Sequence, residues 1–331
     1  EAIEGALAQA MADDARIIIM GEDVHTLRRH LFERFGRERV RSTPISEAAF
    51  IGAAVTAAMV GLRPVVEVMM VDFLGVAMDA LLNHAAKLET FSGGRWKAPL
   101  VVRTPCGGGY GDGGQHGQTL WGWLGHIPGL KVVVPSNPVD AGALMMSALA
   151  DEGPTLFMEH KLLSEDWLEF LGRGGRETML FDVPAAGARG EGPQIWRPLP
   201  LGDAASRRDG DDMAFISVGV GVHRCLEAAA QLTQDGIEAQ VIDLRSVVPL
   251  DEKAICEAAR RTGRILVVDE DYRRYGLSGE IAAVLMEADI SCRFRRVCTA
   301  ETVPFDRRRE DRVLPNVGRI ITQARALLAW K

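Results

Sequence analysis

Short runs of apolar and β-branched residues recur along this chain between longer helical patterns, and that alternation constrains the fold more than any other feature of the sequence. Arg16–Met20, Pro64–Val68, Leu100–Arg103 and Lys131–Val134 are near-continuous apolar stretches, with no alternation of polar and apolar residues. Strands of that kind are buried on both faces, the signature of a parallel sheet covered by helices on each side. Between them, Glu47–Val60 and Phe73–Thr90 are predicted helices, the second closing at Ser92-Gly93-Gly94. From Gly172 to Asp212, Gly, Pro, Arg and Asp accumulate with no sustained period, which predicts linker and surface loop. Strands resume at Met213–Val218, Ala239–Leu244 and Arg264–Val268, with a helix over Val222–Asp235. The expected organisation is an α/β domain with a parallel sheet over residues 1–185, a linker over 186–212 and a smaller α/β domain over 213–331.

Composition then excludes whole classes of function. A chain of 331 residues that is 47% hydrophobic has enough apolar material for two cores, so disorder is excluded. A net charge of -7 offers no basic field to a phosphate backbone, and nucleic acid is not an expected partner. Cys106, Cys225, Cys256, Cys292 and Cys298 form no C-x-x-C pair and are read as free thiols in a reducing compartment. The apolar stretches end well before the roughly 18–20 residues that span a bilayer, and no basic-then-apolar signal pattern opens the sequence. The expectation is a soluble, cytoplasmic-type protein with no membrane partner.

Two segments concentrate chemistry. Thr43-Pro44-Ile45-Ser46-Glu47 leads into an alanine-rich helix. Ser46 and Glu47 could serve as cap and dipole partner alone, but Ala48–Val60 has no charged residue to give that helix a solvated face, so the acid is expected to point at something polar. The second segment, Gly107-Gly108-Gly109-Tyr110-Gly111-Asp112-Gly113-Gly114-Gln115-His116-Gly117-Gln118, follows a predicted strand. Glycines let a backbone approach a ligand closely, and ligands of open α/β sheets lie beyond the carboxyl ends of strands; a flexible loop with a solvated His116 is the plainer alternative. Two patterns are weak imitations. Gly111-Asp112-Gly113 followed by Asn137 mimics a Mg²⁺ motif but lacks the second asparagine, and Gly219-Val220-Gly221 with Asp243 mimics a dinucleotide fingerprint but has Arg224 where the third glycine belongs.

In order along the chain stand Met20-Gly21-Glu22-Asp23-Val24, Thr43-Pro44-Ile45-Ser46-Glu47, Gly61-Leu62-Arg63-Pro64, Ser92-Gly93-Gly94, Gln115-His116-Gly117-Gln118 and Pro128-Gly129-Leu130-Lys131-Val132-Val133. His223-Arg224-Cys225-Leu226-Glu227-Ala228-Ala229, Val241-Ile242-Asp243-Leu244-Arg245 and Val267-Val268-Asp269-Glu270 continue the series. Over nearly its whole length the chain resembles the β subunits of pyruvate, branched-chain 2-oxo acid and acetoin dehydrogenases, the E1 components. That resemblance implies a pyrimidine-binding domain of the thiamine-diphosphate type followed by a transketolase C-terminal-like α/β domain. It implies an α subunit in an α2β2 heterotetramer, which supplies most of the Mg²⁺ and diphosphate site, and a lipoyl-bearing acyltransferase as acceptor. The expected reaction is decarboxylation of a 2-oxo acid with transfer of the acyl group to the lipoyl arm.

By the same resemblance Glu47 contacts the aminopyrimidine ring and promotes its imino tautomer. His116 faces the substrate and the incoming lipoyl arm, Met69 and Phe73 line the pyrimidine wall, and Glu22 lies near the cofactor. A structural K⁺ is implied at the backbone carbonyls of Leu100, Ala148, Asp151 and Gly153. The sequence departs from the family in the short segment His25-Thr26-Leu27-Arg28-Arg29-His30 and in His-Gly-Gln at 116–118, with Trp121 and Trp123 close by. The alternatives are a split transketolase-like enzyme moving a two-carbon ketol unit, an NAD-dependent oxidoreductase built on Gly219, Gly221 and Asp243, and a non-catalytic scaffold.

Overall fold

Each predicted apolar run forms a strand, and five further strands join them. The computed structural model describes residues 1–172, 174, 177, 181–184 and 192–329. Strands β1 (Ile17–Glu22), β2 (Val40–Thr43), β3 (Arg63–Glu67), β4 (Val101–Cys106), β5 (Lys131–Val133) and β6 (Thr155–His160) stand in the order β5-β6-β4-β3-β1-β2. Ile19 lies opposite Val40 on one side and Val65 on the other, in parallel register. Because β1 has neighbours on both sides and helices over its faces, Ile17, Ile18 and Ile19 are all buried, each contributing roughly 1.5–3 kcal/mol by leaving water.

The chain divides into two compact units, Glu1–Pro105, Leu124–Glu159 and Arg189–Leu201 forming one, and Cys106–Trp123, His160–Ala188 and Gly202–Lys331 the other. In the first, the helices Ala2–Asp13 and Pro138–Ala150 bury Leu7, Met11, Leu144 and Met145 together with Trp196. Trp196 falls in the segment expected to be linker; its backbone N–H and carbonyl both bond to the Gln9 amide, at 2.8 and 3.0 Å, and its indole packs against Gly5 and Gly142. Residues 186–191 of that expected linker lie outside the described residues.

The predicted Phe73–Thr90 helix is corrected. Val71–Ala77 is a 3₁₀ helix, Asp79–Ala85 a π-helical turn and Leu88–Phe91 a short α-helix. Gly75 and the β-branched Val71 and Val76 weaken α-propagation at its start, and Asn83 bonds to the Asp79 carboxylate at 2.8 Å across the widened turn.

In the second unit, β7 (Ala205–Arg208), β8 (Met213–Ser217), β9 (Ala239–Asp243), β11 (Arg264–Tyr272) and β12 (Arg293–Thr299) form a sheet in the order β12-β11-β8-β9-β7, with Ser246–Val248 as the short β10. The pairings are parallel except β7 with β9, and arginines on both edge strands discourage edge-to-edge association. The core gathers Phe215, Val222, Val241, Leu266 and Ile320 between this sheet and the helices Val220–Thr233 and Val317–Ala329. Where the apolar run of β11 ends at Val268, the strand continues and carries Asp269, Glu270 and Asp271 into buried positions. No helix among the described residues is long and apolar enough to cross a membrane.

Candidate functional site

At the carboxyl edge of the first sheet, β1 ends at Glu22, which pairs in register with Thr43 of β2. Four residues after Thr43, Glu47 opens the helix Glu47–Met59, and Ser46 provides no side-chain cap. Burial, then the negative charges of Asp23 and Glu47, push the Glu22 carboxyl above its ordinary pKa, so Glu22 and Glu47 share one electrostatic neighbourhood. Among the described residues no hydrogen bond or ion pair engages the Glu47 side chain, and the Thr43 hydroxyl is buried without a partner. The helix buries Phe50, Ile51, Ala54, Val55 and Ala58, and leaves Ala48, Ala49, Ala53 and Val60 exposed. Met69, two residues beyond β3, and Phe73, in the 3₁₀ helix Val71–Ala77, are half-buried. Parallel strands bring Glu22 and Met69 to the same sheet edge, where Thr43 and Glu47 also fall.

Behind that edge lies an ion-pair network that sequence patterns did not reveal. Glu67 at the end of β3 receives Arg28 Nε at 2.8 Å and Arg103 Nη1 at 3.0 Å; Arg103 also pairs with Glu159, and Arg28 with Glu4 at 3.0 Å. Burial disfavours the Glu67 carboxylate, but Arg28 and Arg103 outweigh it and hold its pKa below the usual range. Arg28 belongs to the short segment after Val24, which forms the helices Val24–Leu27 and Arg29–Phe35.

The glycine-rich segment belongs to the second unit, and carboxylates hold its backbone. Gly108 N–H donates to Glu270 Oε1 at 3.0 Å; Gly109 and Gly111 N–H donate to the two oxygens of Glu310, each at 3.0 Å. Glu270 also meets His160 Nε2 at 2.8 Å and Arg224 Nη1 at 2.5 Å. Burial alone would raise the Glu270 pKa, yet His160 and Arg224 bring it down to about 2. For Glu310, burial lifts the carboxyl to about 7 against the pull of the two N–H donors. Gly107, at φ +93°, allows the chain to pass His160; a Cβ there would lie 1.9 Å from the ring nitrogen Nε2.

Further along, Trp121 Nε1 donates to Asp269 at 2.9 Å, Gly122 N–H to Asp271 at 2.6 Å, and Tyr272 Oη to Gln118 Oε1 at 2.9 Å. His116 is half-buried, with Nδ1 3.3 Å from the Asp112 carbonyl, and its own carbonyl accepts from the fully buried Lys161 ammonium. Asp269 and Glu270 stand in a motif that sequence reading quoted without a role. Glu310, inside the arginine-rich helix Arg307–Val313, gave no signal at all.

Around the four expected K⁺ positions, some backbone carbonyls have protein donors. Asp151 O and Leu149 O both accept from Arg63 Nη1 at 2.9 Å, Asp151 Oδ1 takes Lys131 Nζ at 2.7 Å, and Leu100 O accepts from Thr155 N–H at 2.8 Å. Among the described residues no group of three or more His, Cys, Asp or Glu side chains could hold a metal ion. Asn137, the imitation Mg²⁺ ligand, caps the helix Pro138–Ala150 by accepting from Asp140 N–H at 3.0 Å. Asp243, the imitation ribose acid, is fully buried and paired with Arg207 at 2.8 Å, which removes the support for nicotinamide binding.

Comparison with known proteins agrees in both halves. Residues 1–165 match the family described as transketolase, pyrimidine binding domain, and residues 202–320 match transketolase, C-terminal domain. A solved split-gene transketolase, an inactive β4 tetramer, superposes with a TM-score of 0.78 over 100% of this chain and 97% of its own, at 20% identity. Fold and domain order therefore define a transketolase-type α/β protein.

Its relatives are more specific. The chain is 37% identical to the β subunit of an acetoin:2,6-dichlorophenolindophenol oxidoreductase of Bacillus subtilis (strain 168), over 99% of this chain and 96% of that one. It is 39% identical to the 2-oxoisovalerate dehydrogenase β subunit of the same organism, over 87% and 83%. It is 34% identical to the pyruvate dehydrogenase E1 β subunit of Rhizobium meliloti (strain 1021), over 99% and 69%. The chain belongs to the family of E1 β subunits of 2-oxo acid dehydrogenases, a membership that implies the use of thiamine diphosphate.

Proposed function

We propose that this chain is the β half of a 2-oxo acid dehydrogenase E1, acting with an α subunit in an α2β2 heterotetramer, and that Glu47 and His116 are its catalytic side chains. The observation that carries the reading is Glu47 itself, an acid unengaged by any described side-chain partner, at the start of a helix with an uncharged exposed face and beside the buried, unpartnered Thr43 hydroxyl. These residues fit the aminopyrimidine half of thiamine diphosphate: Glu47 holds a proton at a ring nitrogen, and Met69 and Phe73 supply apolar walls, with Glu22 beside them. When bound, the cofactor supplies a carbon nucleophile toward the 2-oxo group and accepts the electron pair released as CO₂ departs.

The negative potential of Glu22, Asp23 and Glu47 favours keeping a proton on this edge, the task a general acid/base performs. His116, held at its backbone by Lys161 and through its loop by Glu270 and Glu310, is placed to donate a proton during acyl transfer to a lipoyl carrier. The exposed apolar face at Ala48, Ala49, Ala53 and Val60 suits a protein partner, and Mg²⁺ and the diphosphate are assigned mainly to the α subunit. A cytoplasmic-type location accords with five free cysteines.

The test is titration of thiamine diphosphate with Mg²⁺ into this chain alone and co-purified with the α subunit encoded beside it, followed by assay of 2-oxo acid decarboxylation. Binding and turnover in the pair but not in the single chain are expected. Equal turnover by the single chain, or none by the pair, would overturn the split-site reading. Sugar-phosphate turnover without lipoamide would replace it with ketol transfer.

A further inference from the structure

The second unit concentrates positive charge that the overall composition hides. Although the chain carries a net charge of -7, a cavity of about 860 Å³ along the edge strand β12 and the first turns of helix Val317–Ala329 is lined by Arg273, Arg295, Arg296 and Arg319, and by no aspartate or glutamate. An adjoining cavity of about 630 Å³ shares Arg273 and Arg296 and adds Arg274. Both lie within the second unit.

Arg319, Arg296 and Arg295 each donate to neutral oxygens. Arg319 donates to the carbonyls of Val313 at 2.7 Å, Leu314 at 2.6 Å and Cys298 at 3.0 Å. Arg296 donates to the Arg273 carbonyl at 3.0 Å and to Ser278 Oγ at 3.2 Å, and Arg295 donates to Gln323 Oε1 at 2.9 Å. Such bonds fix orientation without cancelling charge. Burial depresses the Arg319 pKa, as expected where desolvation of a cation is not repaid by an anion. Like charges gathered in a concavity repel one another and raise the local concentration of anions.

We propose that this arginine cleft binds a small phosphorylated anion carrying two or more negative charges. Planar guanidinium forks match phosphoryl oxygens in pairs, which favours phosphate over a single carboxylate. The cavity falls within the roughly 300–1,000 Å³ range of small-molecule sites. The phosphoryl group is common to inorganic polyphosphates and to nucleotides; Phe294, on the cavity wall, offers a ring on which a heteroaromatic base stacks.

The test is calorimetric titration of the complete chain with ADP and, separately, with tripolyphosphate, in excess thiamine diphosphate so that any site for that cofactor's own diphosphate is filled. Saturable binding at one site is expected for at least one probe. The Arg273→Gln/Arg295→Gln double variant should weaken it by about tenfold or more. Because those changes could disturb the fold, Thr322→Glu is the companion variant: Thr322 is exposed on the helix surface yet lines the cavity, so it adds a carboxylate there. It should abolish binding while leaving the melting temperature within a few degrees of the parent. Phe294→Ala should weaken ADP but not tripolyphosphate if the ligand is a nucleotide, and neither if it is an inorganic polyphosphate. No saturable binding of either probe, binding unchanged in Thr322→Glu, or binding abolished by thiamine diphosphate would overturn the proposal.

Discussion

The acid at the start of helix Glu47–Met59 and the glycine-rich loop that carries His116 are held in opposite ways. No described side chain pairs with Glu47, a neighbouring hydroxyl is buried without a partner, and the helix leaves an uncharged face exposed. The loop is tied down: Gly108, Gly109 and Gly111 donate their N–H groups to Glu270 and Glu310. On the function proposed above, a site whose polar groups lack partners in its own chain would be completed from outside, by cofactor and α subunit. A loop whose backbone is held at several N–H groups by carboxylates of its own chain is shaped before anything arrives, and preorganised groups cost no rearrangement at the moment of reaction.

The sharpest way to break this contrast is Glu47→Gln, which keeps shape and removes the ionisable carboxylate. Turnover of the assembled enzyme should fall by on the order of 10²–10⁴ with little change in the denaturation midpoint of the isolated chain; near-normal decarboxylation would remove Glu47 from the chemistry. Next comes Glu270→Gln, where the expectation inverts. Arg224 and His160 lose their shared anion, which should cost about 3–5 kcal/mol of stability, read as a lower denaturant midpoint. A midpoint within error of the parent would show that the loop is not held there. His116→Ala should leave the midpoint in place and slow transfer to the lipoyl acceptor by roughly a hundredfold, the low end of general acid/base effects; an unchanged transfer rate would contradict its role.

The smallest effect is the most diagnostic. Glu310 titrates at about 7 in the folded chain, against roughly 4.3 for an unfolded glutamate. Between those values the native state binds the extra proton, so Glu310 favours folding at low pH; that contribution is lost as pH rises from about 4.3 to 7 and then levels off. In Glu310→Gln the fall in melting temperature between pH 5 and pH 7.5 should be shallower than in the parent. Parallel curves would mean that Glu310 is not the group titrating.

Much of this was legible in the sequence, for identifiable reasons. Apolar β-branched runs located β1, β3, β8 and β9 because strands buried on both faces leave no room for polar residues. Glu47 was legible as a candidate because the helix that follows it carries no charged residue, although a cap and dipole partner would read the same way. The edge strands β2, β7 and β12, with Arg41, Arg207, Arg208, Arg295 and Arg296, were not, since half-solvated strands carry polar residues like any loop. Asp269, Glu270 and Glu310 were hidden for a related reason: a buried carboxylate looks like a surface one until the N–H groups and cations that satisfy it, far away in sequence, are known.

The bonds that seat the glycine loop reach across 162 residues to Glu270 and 201 residues to Glu310, and this has a consequence for biosynthesis. The loop leaves the ribosome long before either acid exists, at roughly 5–20 residues per second. A nascent chain that stops short of residue 310 can hold Gly108 through Glu270 and the His116 carbonyl through Lys161, but leaves the N–H groups of Gly109 and Gly111 without the acid that binds both. The path of the loop between them is therefore completed last, by the carboxyl-terminal end, and a chain truncated there can acquire the first sheet without the finished loop.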